Sequence, residues 1–210
     1  GLVTMDFGCD PAAIEALSYD FEAKGYALVV VTAGGEHGNL TGEYAAIPSE
    51  MRQVAKCLGG DVLRDVDAAE MEEKIPFLKG KVSERAILRA LHFYDEDARV
   101  PELVDALKKD DLPRFLCGII ASGQSSLTLL QNIYVAGSDR QELALALELS
   151  RRLLQGRGAW RVHGGGFAGT ILAFVPLDIL PAYQERMNAV FGANACTRLS
   201  VRPVGPASIG

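Results

Sequence analysis

The chain has 210 residues, 49% hydrophobic and 23% charged, which is the composition of a globular protein large enough to bury a core. Its net charge of -6 argues against a nucleic-acid-binding surface, and the absence of any run of ~18 apolar residues argues against a membrane-spanning helix. Four widely separated cysteines without a C-x-x-C pair predict neither a metal site nor a disulfide framework, and reduced thiols without a visible secretory signal predict a cytoplasmic protein.

In the first half of the chain, strand patterns precede a long helical region. Residues 1–7 and the apolar residues 26–31 are predicted strands, and the second strand leads into a loop of glycine and polar residues at 33–39. Predicted helices follow at 48–58, 83–94 and 100–109.

In the second half, helix signals surround a glycine-rich hairpin. Asp111 is predicted to cap a helix that carries Pro113 in its first turn. Residues 122–126 (SGQSS) interrupt the apolar pattern and are interpreted as a cap for the next helix, with binding of sugar or phosphate oxygens as the alternative. Residues 138–141 have the capping-box pattern. The other predicted elements are a helix at 140–155, the hairpin, a helix from 181 to 192 and a strand at 198–202.

This order of elements predicts an α+β fold, in which helices pack mainly on one face of an antiparallel sheet. The sequence contains no internal repeat, linker or low-complexity tract.

The stretch 161–170 (RVHGGGFAGT) is rich in glycine: Gly164, Gly165, Gly166 and Gly169 lie within six positions. Glycine tolerates positive φ and close backbone approach, and successive free N–H groups in such a turn form an anion-binding concavity. The spacing matches G-x-G-x-x-G, but a strand pattern follows instead of a helix, which excludes a dinucleotide fingerprint. No lysine follows Lys109, which excludes Walker-type and protein-kinase loops. A ligand-facing loop is favoured over a plain hairpin turn, which rarely uses so many glycines.

Positive charge is concentrated in the half that contains this loop. Residues 111–210 hold nine Arg, no Lys and six acids, a net charge of +3, which leaves -9 for residues 1–110. Arg161 is the best candidate for binding an anion, because a guanidinium matches phosphate and carboxylate geometry. Arg151 and Arg152 are better explained as charges at a helix end.

The longer segment 158–170 (GAWRVHGGGFAGT) resembles the third conserved motif of the GHMP small-molecule kinases, in its galactokinase form. Three other stretches agree in the same order: 40–44 (LTGEY), 89–93 (RALHF) with 96–100 (EDARV), and 199–205 (LSVRPVG). Along essentially its whole length the chain resembles the C-terminal half of a galactokinase. The resemblance implies that residues 1–210 are the C-terminal domain of such a kinase, with a ferredoxin-like core.

The resemblance also implies phosphoryl transfer from ATP, with Mg²⁺, to the anomeric hydroxyl of galactose. The family's sugar-binding Pro-Gly-Arg…Glu-His…Asp motif and its Gly/Ser-rich phosphate loop are not found in these 210 residues. Asp6 follows a Met, as does the family's catalytic aspartate in Met-Asp-Gln, but Phe7 comes next and the pattern is that of a strand. We therefore expect no catalytic residue in this chain, no activity of this chain alone, and an N-terminal kinase domain as its missing partner.

The resemblance assigns site residues one by one. Tyr44 matches the tyrosine that contacts the sugar, although a plain core position is the alternative. Gly164, Gly165, Gly166 and Gly169 match the loop near the nucleotide phosphates, and Phe167 matches an aromatic residue that anchors it. Arg161 and His163 are further candidates beside the loop, with a structural role as the alternative for His163.

Several positions depart from the family pattern and leave the exact sugar open. Ile47 replaces a common Arg, His163 a common Thr, Ala168 a common Gly and Thr170 a common Cys, and Gln124 lies near the place of a common His. Two alternatives to a galactokinase follow: a non-catalytic sugar-binding or sensor module of the same fold, or a related GHMP kinase that acts on another sugar.

Overall fold

The computed structural model describes residues 2–34 and 40–201. The strands in these ranges are β1 (Leu2–Asp6), β2 (Ala13–Leu17), β3 (Tyr26–Gly34), β4 (Ala159–His163), β5 (Gly169–Pro176) and β6 (Cys196–Leu199). The α-helices are α1 (Thr41–Cys57), α2 (Ala68–Glu73), α3 (Ile75–Leu78), α4 (Glu84–Lys108), α5 (Leu112–Ser125), α6 (Glu142–Leu154) and α7 (Leu180–Phe191). A π-helical turn, Ser126–Leu130, follows α5 directly. None of the helices described is long and apolar enough to cross a membrane.

The central sheet has four antiparallel strands in the order β4-β5-β3-β6. Along the chain, β3 is followed by helices, then by the β4–β5 pair, then by α7 and β6. This chain order, combined with the spatial order of the strands, is the ferredoxin-like arrangement. The expected α+β class with an antiparallel sheet is confirmed. The β1–β2 hairpin forms a separate two-stranded ribbon.

Successive side chains of β3 point to opposite faces of the sheet, so this strand contributes residues to two hydrophobic cores, one on each face. Val29 and Val31 are fully buried on one face, where α6 and α7 pack. Leu28 lies on the other face with Phe174 of β5, against Phe115 of α5. Helices therefore contact both faces of the sheet.

A third core joins α1 to α4 and includes Val54, Met71, Leu78 and Ala90. This packing fixes the position of α1, whose first turn lies beside the glycine-rich hairpin. The predicted helix that includes residues 48–58 is α1, and it begins at residue 41.

The prediction of two helices at 83–94 and 100–109 was wrong, because α4 is one continuous helix with Pro101 inside it. Pro101 is exposed, whereas Ala90 and Ala106 on either side of it are fully buried. Burial of the flanking turns outweighs the cost of proline in a helix interior, which is ~3 kcal/mol.

The interpretation of residues 122–126 as a cap was also wrong. Ser122 and Ser125 lie inside α5 and are buried, and their hydroxyls bind side chains of α4. The capping box at 138–141 does not form, because Ser138 Oγ accepts from the amide of Arg140 and α6 begins later without a side-chain cap.

Other predicted boundaries are close to those observed. Asp111 caps α5 by accepting from the Arg114 amide at 3.1 Å, and Gly192 ends α7. The strand expected at 198–202 is β6, which begins two residues earlier and ends at Leu199. Residues 35–39 of the predicted loop and 202–205 of the C-terminal motif lie outside the described residues.

Candidate functional site

The glycine loop, residues 164–168, connects β4 to β5, and its backbone has positive φ angles that residues with a side chain rarely adopt. Gly164 and Gly166 have φ of 77° and 82°, and Phe167 has a φ of 59°. Gly164 and Gly165 are exposed, whereas residues 166–168 are buried. The loop therefore presents an exposed tip on a buried base.

Tyr44 of α1 holds the loop from one side. Its hydroxyl donates to the carbonyl oxygen of Gly166 at 2.8 Å, and its ring packs edge-on against Phe167 with centroids 5.4 Å apart. A Cβ on Gly165 would lie 2.8 Å from Cε1 of Tyr44. Glycine at position 165 is thus required by the closeness of the tyrosine ring, and Phe167 anchors the loop in this contact.

Asn132 holds the loop from the other side, and the sequence analysis missed it. Its backbone carbonyl accepts from the Phe167 amide, and its side-chain Nδ2 donates to the Gly165 carbonyl at 3.0 Å. A Cβ on Gly166 would lie 2.1 Å from the Asn132 carbonyl oxygen. Asn132 is 3% exposed and lies in no motif that we identified, so no local pattern marks it.

The exposed tip offers hydrogen-bond donors. The amides of the exposed Gly164 and Gly165, and that of the buried Gly166 next to them, make no hydrogen bond to any other described residue, whereas those of Phe167 and Ala168 do. Successive free N–H groups in a turn with alternating positive φ form a concavity suited to an anion. The chemistry available at the tip is therefore that of neutral backbone donors without side chains.

Arg161 and His163 lie on β4, just before the loop. Arg161 is half-buried, and its Nη1 lies 3.9 Å from Oε2 of Glu96 on α4. Burial lowers the pKa of Arg161 and outweighs the opposing effect of Glu96. His163 is exposed at the end of the strand. The guanidinium of Arg161 thus contacts α4, whereas the loop tip contacts α1.

A cavity of about 390 Å³ adjoins Phe167 and is lined by both polar and apolar side chains. Arg89, 1% exposed, forms part of its wall; its Nη1 pairs with Glu50 at 2.9 Å and its Nε donates to the Leu130 carbonyl at 3.1 Å. Arg85 binds the same carboxylate at 2.5 Å. Burial lowers the pKa of Arg89 despite the attraction of Glu50. The other lining residues are Glu43, Leu127, Thr128, Gln131, Ile133, Tyr134 and Ala136.

Asp6 is at the end of β1 and is held by donors. Its Oδ1 accepts from the Gly8 amide at 2.8 Å and from Nη1 of Arg64 at 2.7 Å. Both hydrogen bonds lower the pKa of Asp6, and the one from the Gly8 amide has the larger effect. Across residues 2–34 and 40–201, no group of three or more His, Cys, Asp or Glu side chains could hold a metal ion.

No family model matches the chain, but curated relatives do. The chain is 32% identical over 152 residues to a galactokinase of Actinobacillus pleuropneumoniae, an alignment that covers 72% of this chain and 38% of the relative. It is 29% identical over 162 residues to a galactokinase of Glaesserella parasuis, covering 77% of this chain and 40% of the relative. The chain is similar to the C-terminal half of galactokinases. This galactokinase-like chain spans about 40% of the length of these relatives.

Solved structures agree with the sequence comparison. Lactococcus lactis galactokinase, solved with galactose, matches 90% of this galactokinase-like chain with a TM-score of 0.73 at 19% identity, over 47% of its own chain. L. major mevalonate kinase, solved with R-mevalonate, matches 89% of this chain with a TM-score of 0.50 at 16% identity, over 44% of its own chain. The expected GHMP-kinase fold and the expected match to the C-terminal half are thereby confirmed.

Proposed function

We propose that residues 1–210 are the C-terminal domain of an ATP-dependent sugar kinase that phosphorylates galactose at its anomeric hydroxyl. The observation that carries the proposal is the glycine loop: the amides of its exposed tip have no hydrogen-bond partner among residues 2–34 and 40–201, and Tyr44 is hydrogen-bonded to the loop. In a chain similar to the C-terminal half of galactokinases, such a loop is suited to a transferred phosphoryl group next to a sugar.

The residues present have distinct roles in this proposal. The amides of Gly164, Gly165 and Gly166 bind phosphate oxygens of the nucleotide, Gly169 ends the loop, and Tyr44 lies against the sugar. The tyrosine hydroxyl is already donated to Gly166, so it meets a sugar hydroxyl as an acceptor while its ring contacts the apolar side of the hexose.

ATP supplies the phosphoryl group in this reaction, and Mg²⁺ neutralises its charge. The loop amides fit the phosphates, but the described residues hold no acidic cluster for the metal. The magnesium ligands and the base that activates the sugar hydroxyl are therefore assigned to an N-terminal kinase domain of the full-length gene product, which we place in the cytoplasm.

A comparison of two polypeptides tests the proposal. We expect galactose-dependent ADP release from the full-length gene product with ATP and Mg²⁺, and none from the 210-residue chain. Turnover by the 210-residue chain would show that the catalytic base lies within it. A full-length product that binds galactose in calorimetry without turnover would instead be a sugar-binding or sensor module.

A panel of hexoses and hexose derivatives tests the choice of sugar. The solved galactokinase of L. lactis that this fold matches contains galactose, which supports galactose as the substrate. Faster turnover of another sugar by the full-length product would retain the kinase assignment and overturn the substrate.

A further inference from the structure

Two side chains, Tyr44 and Asn132, bind successive carbonyls of the glycine loop, but the resemblance assigns only Tyr44 to the site. We infer that Asn132 is a positioning residue for phosphoryl transfer, which sets the direction of the loop amides by fixing the peptide groups around Gly165 and Phe167. This inference rests on the proposed function and adds a residue to the same site.

Asn132 controls the loop through both its backbone and its side chain. The carbonyl accepts from the Phe167 amide, while Nδ2 donates to the Gly165 carbonyl at 3.0 Å. The Gly165 carbonyl belongs to the same peptide group as the Gly166 amide, so the bond to Nδ2 also orients this amide, which has no hydrogen-bond partner in the described part of the chain. This hydrogen bond also fixes the orientation of the Asn132 side-chain amide. If the amide were rotated by half a turn, its oxygen would face the Gly165 carbonyl oxygen, and two acceptors cannot form a hydrogen bond.

Asn132 is supported by a hydrogen-bonded turn. It follows the π-helical turn, and the preceding residue Gln131 has a φ of 58° and donates its amide to Ser126 at 2.9 Å. π-helical turns and positive φ at non-glycine residues are concentrated at functional sites. The Leu130 carbonyl at the end of this turn accepts from Nε of the buried Arg89.

Contacts on both sides of the loop therefore lead back to the same helix, α1. Arg89 pairs with Glu50, and Glu50 lies on α1, which also carries Tyr44. One path runs from Tyr44 to Gly166; the other runs from Glu50 through Arg89 and the π-helical turn to Asn132 and Gly165. A change in the second path would rotate the loop amides without removing Tyr44, which contacts the proposed sugar.

Kinetics of variants of the full-length enzyme test this role. Asn132→Asp keeps the shape of the side chain but loses the donor to Gly165, and Asn132→Ala loses the whole group. We expect both to lower kcat by about 10- to 100-fold, as for a small misplacement of catalytic groups, with the KM for galactose within about twofold. Asn188→Ala is the matched control, because Asn188 also binds a backbone group, the Cys196 amide at 3.0 Å, but on α7 away from the loop.

Hydrogen exchange in the same full-length variants supplies a readout that does not depend on activity. Peptides covering residues 163–170 should exchange faster in Asn132→Asp and Asn132→Ala than in Asn188→Ala, at similar melting temperatures. If exchange in this segment is unchanged, or kcat falls no more than in Asn188→Ala, Asn132 does not position the loop. A full-length wild type without kinase activity would overturn the proposed function, while the exchange result would still decide whether Asn132 fixes the loop.

Discussion

At the scale of single residues, the loop glycines differ in what a methyl group would meet. A Cβ on Gly166 would lie 2.1 Å from the Asn132 carbonyl oxygen, and the residue has a φ of 82°. A Cβ on Gly164, with a φ of 77°, would meet no atom within 4 Å. Alanine at Gly164 therefore incurs only left-handed strain, whereas alanine at Gly166 also forces backbone atoms apart.

We predict that Gly164→Ala lowers the free energy of unfolding by about 1–2 kcal/mol, the cost of left-handed backbone for a residue with a Cβ. Gly166→Ala should lower it clearly further, because overpacking against backbone adds to the same strain. Urea denaturation of the two variants and the wild type measures the difference. Equal losses would mean that the loop shifts freely and is not held between Tyr44 and Asn132.

At the residue scale, the sequence pattern indicated the glycine run, and the family resemblance indicated Tyr44; their proposed roles in binding stay predictions. The run of glycines and Tyr44 were both singled out, and the fold brings them into contact across more than a hundred residues of chain. Asn132 was not predictable, because a single asparagine after an apolar segment has no local signature and its role depends on a non-local carbonyl. Arg161 has a favourable residue type, but its partner Glu96 is visible only once α4 and β4 are packed.

At the scale of elements, α4 and α5 meet through two polar contacts, one buried and one partly buried. His92 Nδ1 lies 2.8 Å from Ser125 Oγ, and Ser122 Oγ donates to Glu96 Oε2 at 2.5 Å. His92 and Glu96 on α4 are one turn apart, as are Ser122 and Ser125 on α5, so both contacts fall on a single line between the helices. Serine hydroxyls in the interior of α5 therefore serve the helix–helix contact.

His92 should make this contact sensitive to pH. Burial lowers the pKa of His92 below its ordinary value of 6.5. The negative charge of Glu96 opposes this shift, and the positive charge of Arg161 adds to it. The unfolded chain then binds a proton that the folded chain does not, so stability is full above pH 6.5 and falls as the pH drops toward the folded-state pKa.

We predict that His92→Gln loses less free energy of unfolding than the wild type when the pH is lowered from about 7.5 to about 5.5. The substitution keeps a polar partner for Ser125 but does not titrate. His163→Gln is the control, because His163 is exposed on β4 and lies outside the contact between α4 and α5. An identical pH slope in His92→Gln and the wild type, measured by urea denaturation, would contradict the prediction.

The errors at this scale have physical causes. Proline at position 101 and the polar residues 122–126 are ordinary breaking signals, yet α4 and α5 continue through them. Pro101 is exposed, and the helix is anchored by buried residues near both of its ends, such as Ala90 and Ala106. The serines bind side chains of the neighbouring helix. Local propensity was overridden by tertiary contacts that no window of sequence contains.

At the scale of the whole molecule, the order of elements predicted the antiparallel sheet, because a hairpin of two strands with helices before and after it fits helices packed on such a sheet. It did not predict that α5 contacts the second face of the sheet, since the residues that do so, Phe115 and Phe174, are simply apolar. Nor did it predict β2, whose side chains are mostly exposed and follow no clear buried face.

The β1–β2 ribbon leaves apolar side chains in water. Val3, Met5, Phe7 and Ile14 are between 52% and 78% exposed, and Met5 pairs directly with Ile14 across the ribbon. Met5 and Ile14 also line an open cleft of about 710 Å³ that extends to α4. An apolar surface of this kind binds hydrophobic dyes and favours association of protein molecules.

We predict that replacing Met5 and Ile14 together by Thr reduces both effects in the 210-residue chain, because threonine keeps strand propensity while removing apolar surface. Fluorescence of a hydrophobic dye should fall, and sedimentation velocity at high concentration should show less associated material than for the wild type. Leu145→Gln is the control, because it removes one leucine that is 49% exposed on α6, outside the ribbon. Dye binding and sedimentation that change as little in the double variant as in Leu145→Gln would show that the ribbon does not drive association.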